Sequence, residues 1–364
     1  MSQKNTMSQA DKLKALDKAI QSINNRKNLK SDVSDRIIAK LNESTHDVET
    51  ISTGSLVLDS LLGGGLARGR IVEIYGPEAS GKTSLALTAV GNVQKRGGTA
   101  AFIDLENALD PRYARVLGVD TDNLYLSQPE YAEQAFELII QLVQSTFVDI
   151  IVLDSLAALV PKAELEGDME DQHVGLQARI ISRALRKLVG LCNQTGTTLI
   201  LINQLRDKVG GFSSFGTPET TTGGRSVKFY ASQRIDIRRK ETLKEGDKAY
   251  GTRVKIRIAK NKIAPPFRSG ETVLTFGQGI YKPTEIIESG VELGILERPN
   301  SRTWVEVATG EVIGKSRQEA TDRIIADEKL QDRLYAAYEK IVSDKLEKGE
   351  DIDVITGDAK EEES

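Results

Sequence analysis

Apolar residues recur in short unbroken runs through the middle of the chain, with mixed or polar stretches between them. RIVEIYG (70–76), TAAFIDLE (99–106), DIIVLDS (149–155) and TTLILINQ (197–204) have strand length and many branched side chains. SLALTAVGNVQKRG (84–97), EQAFELIIQLVQSTF (133–147) and LQARIISRALRKLVGLCNQTG (176–196) place apolar residues at helical spacing. Strands that are apolar on both faces, alternating with helices, predict an α/β fold: a mostly parallel central sheet covered by helices. QRIDIRRK (233–240) and TRVKIRIAKNKI (252–263) alternate with period two and are expected to extend that sheet as antiparallel strands.

The ends read differently. Leu13, Leu16, Ile20 and Ile23 mark an amphipathic helix, followed by polar 24–28 and a second apolar segment, RIIAKL (36–41). Its stripe suits packing on its own domain or on a neighbour, and the spacing does not choose. From about 282 the texture changes to a helix over 285–296, a hairpin over 303–314 and a charged helix over roughly 317–346. The expected division is an N-terminal segment 1–43, a core 44–281, a small α+β domain 282–346 and an acidic tail 347–364. No internal repeat is visible.

Composition narrows the function classes. Of 364 residues, 39% are apolar and 28% charged, which excludes wholesale disorder. No apolar run approaches the roughly 18 residues of a membrane span, and the polar N-terminus is not a secretory signal. Cys192 is the single cysteine, so an intrachain disulfide and a cysteine-rich zinc site are excluded, and a cytoplasmic location is expected. The net charge of −4 hides an asymmetry: residues 350–364 carry −6 and residues 1–349 carry +2. Such a tail suits either a solubilising end or a segment that masks basic surface.

Gly76, Pro77, Glu78, Ala79, Ser80, Gly81, Lys82 and Thr83 spell the phosphate-loop pattern G-x-x-x-x-G-K-[ST], after a predicted strand and before a predicted helix. Inward-pointing N–H groups and the helix N-terminus favour phosphate. Lys82 reaches the β- and γ-phosphates, and the Thr83 hydroxyl ligates Mg²⁺. Asp154, ending an apolar strand, is placed to hold the same ion. Glu106, ending the strand one over, can activate water, and Asp104 points to the opposite face. Gln204 can sense the γ-phosphate. Beyond it, 205–224 holds five glycines, Arg206 and Lys208, and no periodicity, as a functional loop does. A second irregular stretch, 164–175, precedes the long helix, on which Arg179, Arg183 and Arg186 form a basic stripe opposite Leu176, Ile180, Leu188 and Leu191. Loops flanking such a stripe suit a phosphodiester backbone. His173 has only His46 as a possible partner and no ligand spacing.

GPEASGKT (76–83), DVETISTGS (47–55), AFIDLENALDP (101–111), VLDSLAALVPKAELEG (152–167), INQ (202–204), TPETTTGG (217–224), KFYAS (228–232), IDIRR (235–239) and KNKIAPPF (260–267) together resemble the bacterial RecA recombinases, over roughly 36–346. The resemblance implies a RecA-type P-loop core and an ATP-dependent recombinase. Such a protein forms a helical filament on single-stranded DNA, exchanges strands with homologous duplex, and stimulates self-cleavage of the SOS repressor. It implies Mg-ATP at Lys82, Thr83, Ser84 and Asp154, catalysis by Glu106, γ-phosphate sensing by Gln204, and adenine between Asp110 and Tyr113. Lys260 and Lys262 would reach ATP bound by the adjacent subunit. The single-strand site would comprise loop residues 166–175 and 205–220, Val209 among them, with Arg179, Arg186, Gly223 and Gly224. Arg238 and Arg239 would belong to a second DNA site, and 1–43 would be an oligomerisation arm. Asn107, Phe276 and Arg225 depart from the family's usual histidine, tyrosine and asparagine, and Val174 and Val209 replace larger apolar side chains. A ring-forming motor or helicase and a nucleotide switch without DNA share the core fold. The arm, PETTTGG and the 282–346 segment favour the recombinase.

Overall fold

The computed structural model describes residues 8–25, 48–167, 175–207 and 219–348. RIIAKL, the acidic tail 350–364, Lys208, Val209, His46, His173 and Val174 lie outside the described residues, as does the side chain of Arg206. Two compact units are present. The first, Met1–Val48, is described over α1 (Gln9–Asn25), the expected amphipathic helix, with the Ser8 hydroxyl accepting from the Asp11 N–H at 3.2 Å.

The second unit, Glu49–Ser364, begins β1 (Thr50–Ile51), α2 (Leu56–Leu62), β2 (Leu66–Ala67), β3 (Ile71–Gly76), α3 (Lys82–Lys95), β4 (Ala100–Asp104), α4 (Pro111–Val116) and β5 (Leu124–Ser127). It continues α5 (Ala132–Ser145), β6 (Ile150–Asp154), α6 (Lys162–Glu166), α7 (Leu176–Thr195), β7 (Thr198–Asp207), β8 (Glu219–Thr221), α8 (Gly224–Tyr230), β9 (Gln233–Glu245), β10 (Lys248–Asn261), β11 (Ser269–Thr275) and β12 (Gly279–Ile280). It closes with α9 (Lys282–Ser289), β13 (Leu296–Glu297), β14 (Trp304–Glu306), β15 (Val312–Gly314), α10 (Arg317–Ala326) and α11 (Glu328–Glu347).

The main sheet runs β5-β4-β6-β7-β3-β9 with every neighbour parallel, then continues β10-β11-β12 antiparallel; this corrects the expectation for 233–240, because β9 pairs in parallel with β3 and only its other edge, against β10, is antiparallel. Period two sorts its apolar side chains into two layers. Val72, Ile74, Phe102, Val152, Ile200 and Ile202 share a core with α2 and α3. Ile71, Ile103, Ile151, Leu153, Leu199 and Leu201 share the other with α5, α7 and α8. On α7 the buried face is Ile181, Ala184, Leu185, Leu188 and Cys192. This corrects the expected stripe by about one position: Ile180 and Leu191 only flank the core.

The first core also takes in Ile286, Trp304, Ile313 and Tyr338, so the C-terminal elements pack continuously onto α2 and α3. Leu330, Leu334, Tyr338 and Val342, four residues apart, form the inner stripe of α11. The three aliphatic side chains each contribute about 1.5–3 kcal/mol of burial. Two expected helices are corrected here. The 285–296 helix stops at Ser289: the Gly290 carbonyl accepts from the Ile295 and Leu296 N–H groups at 2.8 and 2.9 Å, so the chain folds back there instead of continuing the helical ladder. The helix expected over 317–346 is two helices. Asp327 accepts from the Leu330 N–H at 3.1 Å, capping α11 instead of continuing α10.

Candidate functional site

The phosphate loop leaves β3 at Gly76, where a Cβ would lie 2.0 Å from the Ile237 carbonyl oxygen, so only glycine lets the loop start against β9. Ala79 (φ 55°) and Gly81 (φ 93°) turn the chain left-handed, and the loop runs into α3. Among the described residues, no acceptor pairs with the main-chain N–H groups of Ala79 to Ser84. That is the anion-binding curl a triphosphate requires. The Ser80 hydroxyl and the Lys82 ammonium donate to the Pro77 carbonyl, at 2.9 and 2.6 Å. Burial lowers the Lys82 pKa, and the carboxylates of Asp154, Glu106 and Glu78 oppose that shift.

Thr83 Oγ1 donates to Asp154 Oδ2 at 2.6 Å. Two hard oxygen donors are thus already side by side, a fit for Mg²⁺, which takes one or two protein oxygens with phosphate and water completing its shell. Burial pushes the Asp154 carboxyl up to about 6, with Glu106 and Asp104 adding repulsion and the Thr83 bond opposing. A cation here would relieve that penalty. The Asp154–Ser155 peptide is cis.

Glu106 is not at a strand end as expected. β4 stops at Asp104, and Glu106 stands two residues on, exposed in the following turn. Asp104 organises that turn: it accepts from the Ala108 and Leu109 N–H groups (3.4 and 3.2 Å) and from Gln128 Nε2 (3.2 Å). Asn107 takes φ 53°, a left-handed conformation that asparagine tolerates. Glu106 Oε1 accepts from the Ser155 hydroxyl at 2.5 Å and from Gln204 Nε2 at 3.1 Å. Gln204 pairs with Gly76 at the top of β3, so the central sheet sets the distance between phosphate loop and sensor.

Asp110 caps α4, accepting from the Arg112 N–H at 2.8 Å, and Tyr113 OH lies 2.8 Å from Ser84 Oγ. Tyr113 therefore stands against the end of the phosphate loop, with Asp110 one turn away at the start of α4. Exposed Phe276 lies on the turn after β11.

On α7, Arg179, Arg183 and Arg186 are exposed on one face beside Ala178 and Ser182. The basic stripe stands as the spacing predicts. Gly223 (φ 87°) and Gly224 (φ 63°) open α8, and a side chain at 223 would press on Val227 and on Ile181 of α7. Arg238 pairs with Asp236 at 3.0 Å, while Arg239 is exposed.

Lys260 and Lys262 stand at and just beyond the end of β10. A register irregularity falls between Ile258 and Lys260, β10 ends at Asn261, and Lys262 lies beyond it. The Lys260 ammonium donates to the Lys228 and Phe229 carbonyls at 2.7 and 3.0 Å, at the C-terminal end of α8. Its hydrogen-bond partners among the described residues are therefore main-chain carbonyls and not carboxylates. Burial lowers its pKa, as do Lys262 and Arg234, while Glu73 opposes.

The RecA N-terminal domain family matches residues 14–281. The chain belongs to the RecA family. "Protein RecA" of Bifidobacterium breve is 53% identical over 298 residues, 81% of this chain and 76% of that one. The Nocardia farcinica protein of the same name is 52% identical, covering 85% and 87% of the two chains, and the Arthrobacter sp. protein 51%, covering 92% of each. A solved structure described as "Crystal structure of the RadB recombinase" aligns at TM-score 0.48 and 22% identity, over 64% of this chain and 99% of that one. In this RecA family chain, sequence reasoning missed the supporting groups Ser155 and Asn203 and the turn-organising role of Asp104. Their signal was faint, a polar residue at the end of an apolar run.

Proposed function

We propose that Lys82, Thr83 and Asp154 bind Mg-ATP, that Glu106 activates the attacking water, and that Gln204 reports the γ-phosphate to the DNA-binding loop. The protein is a DNA recombinase and DNA-dependent ATPase. It forms filaments on single-stranded DNA and pairs that strand with homologous duplex. The observation that carries the site reading is the Gln204–Glu106 hydrogen bond at 3.1 Å. It ties the hydrolytic carboxylate to β7, whose last residues, 205–207, pair with β8 on either side of the segment 208–218; the irregular stretch expected from 205 thus begins as strand.

In the reaction, the water oxygen bonds to the γ-phosphorus as the bond to the β–γ bridging oxygen breaks. Glu106 accepts the water proton, and Lys82 with the loop N–H groups stabilises charge on the phosphates. Mg²⁺, when bound, neutralises the same oxygens. Asp110 and Tyr113 hold the base. Arg179, Arg186, Arg206, Lys208, Val209, Gly223 and Gly224 line the single strand, and Arg238 and Arg239 contact duplex. Residues 1–43 dock the neighbouring subunit, and Lys260 and Lys262 serve that neighbour's ATP once Lys260 leaves the α8 carbonyls. Action in the cytoplasm and stimulation of SOS repressor self-cleavage complete the reading, supported by the RecA resemblance.

The test mixes two inactive variants. Lys82→Ala subunits and Lys260→Ala/Lys262→Ala subunits should each lack DNA-stimulated hydrolysis. Co-assembled, some interfaces pair an intact loop with intact lysines, and partial activity should return. A co-assembled mixture as inactive as either variant refutes the shared site. DNA-independent turnover, or closed rings in electron micrographs, refutes the filament reading.

A further inference from the structure

Glu73 is a carboxylate in the middle of the apolar run RIVEIYG, with no exposed side-chain surface. It lies on β3, between Leu201 of β7 and Arg234 of β9. Its two oxygens serve different neighbours. Oε1 accepts from Asn203 Nδ2 at 2.9 Å, and Oε2 accepts from Arg234 Nε. Asn203 Nδ2 also donates to the Thr222 carbonyl at 3.0 Å, and Asn203 Oδ1 accepts from the Gln204 N–H at 3.0 Å. One amide therefore grips Gln204 where the loop departs and Thr222 where it returns. On the other side, Arg234 stacks over the Tyr75 ring at 4.6 Å and stands opposite Lys260 in the β9–β10 ladder.

A buried ion pair is a poor way to gain stability, since well-packed apolar residues usually do as well. Its cost here is met at the junction of three elements, each carrying one candidate of the ATP or DNA machinery. We propose that Glu73 is a positioning residue: through Asn203 and Arg234 it fixes Gln204, the base of the DNA loop and Lys260 in one arrangement, so that DNA binding and ATP hydrolysis are coupled. The proposal rests on the roles given above to Gln204 and Lys260.

Glu73→Gln tests it. Both partners donate, so whichever way the amide turns, its NH₂ faces a donor and one link is lost. Binding of a fluorescent ATP analogue without DNA should stay within about twofold, because the phosphate loop is untouched. Hydrolysis stimulated by poly-dT should fall about tenfold or more in kcat with little change in KM, the split expected when an interaction made only in the active arrangement is lost. Glu73→Asp, which keeps the charge, should recover part of the stimulation. Glu73→Leu/Arg234→Met removes both charges at similar volume and should hold the melting temperature near the parent's while stimulation stays absent.

Stimulation within twofold of the parent in Glu73→Gln, or full stimulation in the apolar double variant, overturns the proposal. So does a parallel loss of ATP binding, kcat and melting temperature, which is what a purely structural role predicts. Gln204→Ala and Lys260→Ala run alongside. If they keep full stimulation, the underlying site reading fails. If they abolish it while Glu73→Gln does not, only the role of Glu73 fails.

Discussion

Arg179, Arg183 and Arg186 give the most quantitative test of DNA binding. All three are exposed on α7, and none has a carboxylate partner among the described residues. At helical rise, 179 to 186 spans about 10 Å along one face, room for separate phosphates. Each phosphate neutralised on single-stranded DNA adds about 0.7 to the slope of log affinity against log salt. Arg179→Ala/Arg186→Ala should therefore flatten that slope by about 1.4. Raising salt from about 50 to about 200 mM should then weaken the variant about sevenfold less than the parent. The loss at low salt should be the same for poly-dT and mixed sequences, since phosphate contacts carry no base information. Fluorescence anisotropy of labelled oligonucleotides across a salt series measures both. An unchanged slope, or an equal loss of ATP-analogue binding in the absence of DNA, would show that the stripe does not contact the backbone.

The remaining expectations concern separate parts of the molecule. Lys82→Ala should abolish ATP hydrolysis with the melting temperature unchanged, and residual turnover above a tenth of the parent's would defeat the phosphate-loop assignment. Tyr113→Ala removes a ring beside the loop and its hydroxyl contact with Ser84, and should raise KM for ATP with a smaller change in kcat; an unaltered KM would move the base elsewhere. Glu285 is buried, which raises its pKa although Ser55, Thr272 and the Leu56 N–H donate to it. The folded state thus favours its protonated form, so its contribution is complete below the unfolded pKa and is lost as pH rises through the folded one. Glu285→Gln should flatten the fall of melting temperature with rising pH, and identical pH profiles for the two proteins would refute this.

The fold was legible because apolar runs report burial directly. The four central strands β3, β4, β6 and β7 follow from unbroken apolar runs and the β9–β10 hairpin from period two, whereas the half-exposed edge strand β5 and the parallel pairing of β9 with β3 left no such trace. The phosphate loop was legible because its chemistry is local, within eight consecutive residues. What escaped depends on distant segments. The partners of Lys260 are invisible to the strand pattern because the carbonyls it donates to lie 31 and 32 residues earlier. Glu106 was placed on a strand because TAAFIDLE reads as one run, and nothing local shows Asp104 folding the chain into a turn. The break at Asp327 was visible in principle, since an aspartate three residues before a buried leucine is a capping signal, but the charge-rich pattern on both sides obscured it.

β7 is longer than the sheet that holds it. Through Gln204 it is flanked in register by β3, and from Leu205 to Asp207 it pairs with β8, Leu205 opposite Thr221 and Asp207 opposite Glu219. A two-stranded ribbon therefore projects from a wide, stiff sheet, and Gln204 is the last residue on the stiff side. Ribbons of two strands twist and bend far more readily than broad sheets. Force applied along the ribbon thus acts as on a lever, with the fulcrum at Gln204. A long swing at the far end becomes a small rotation of one amide against Glu106. If the segment beyond this ribbon holds the single strand and Gln204 meets the γ-phosphate, as proposed, movement of the strand and adjustment at the phosphate are geared to one another by a change in sheet width.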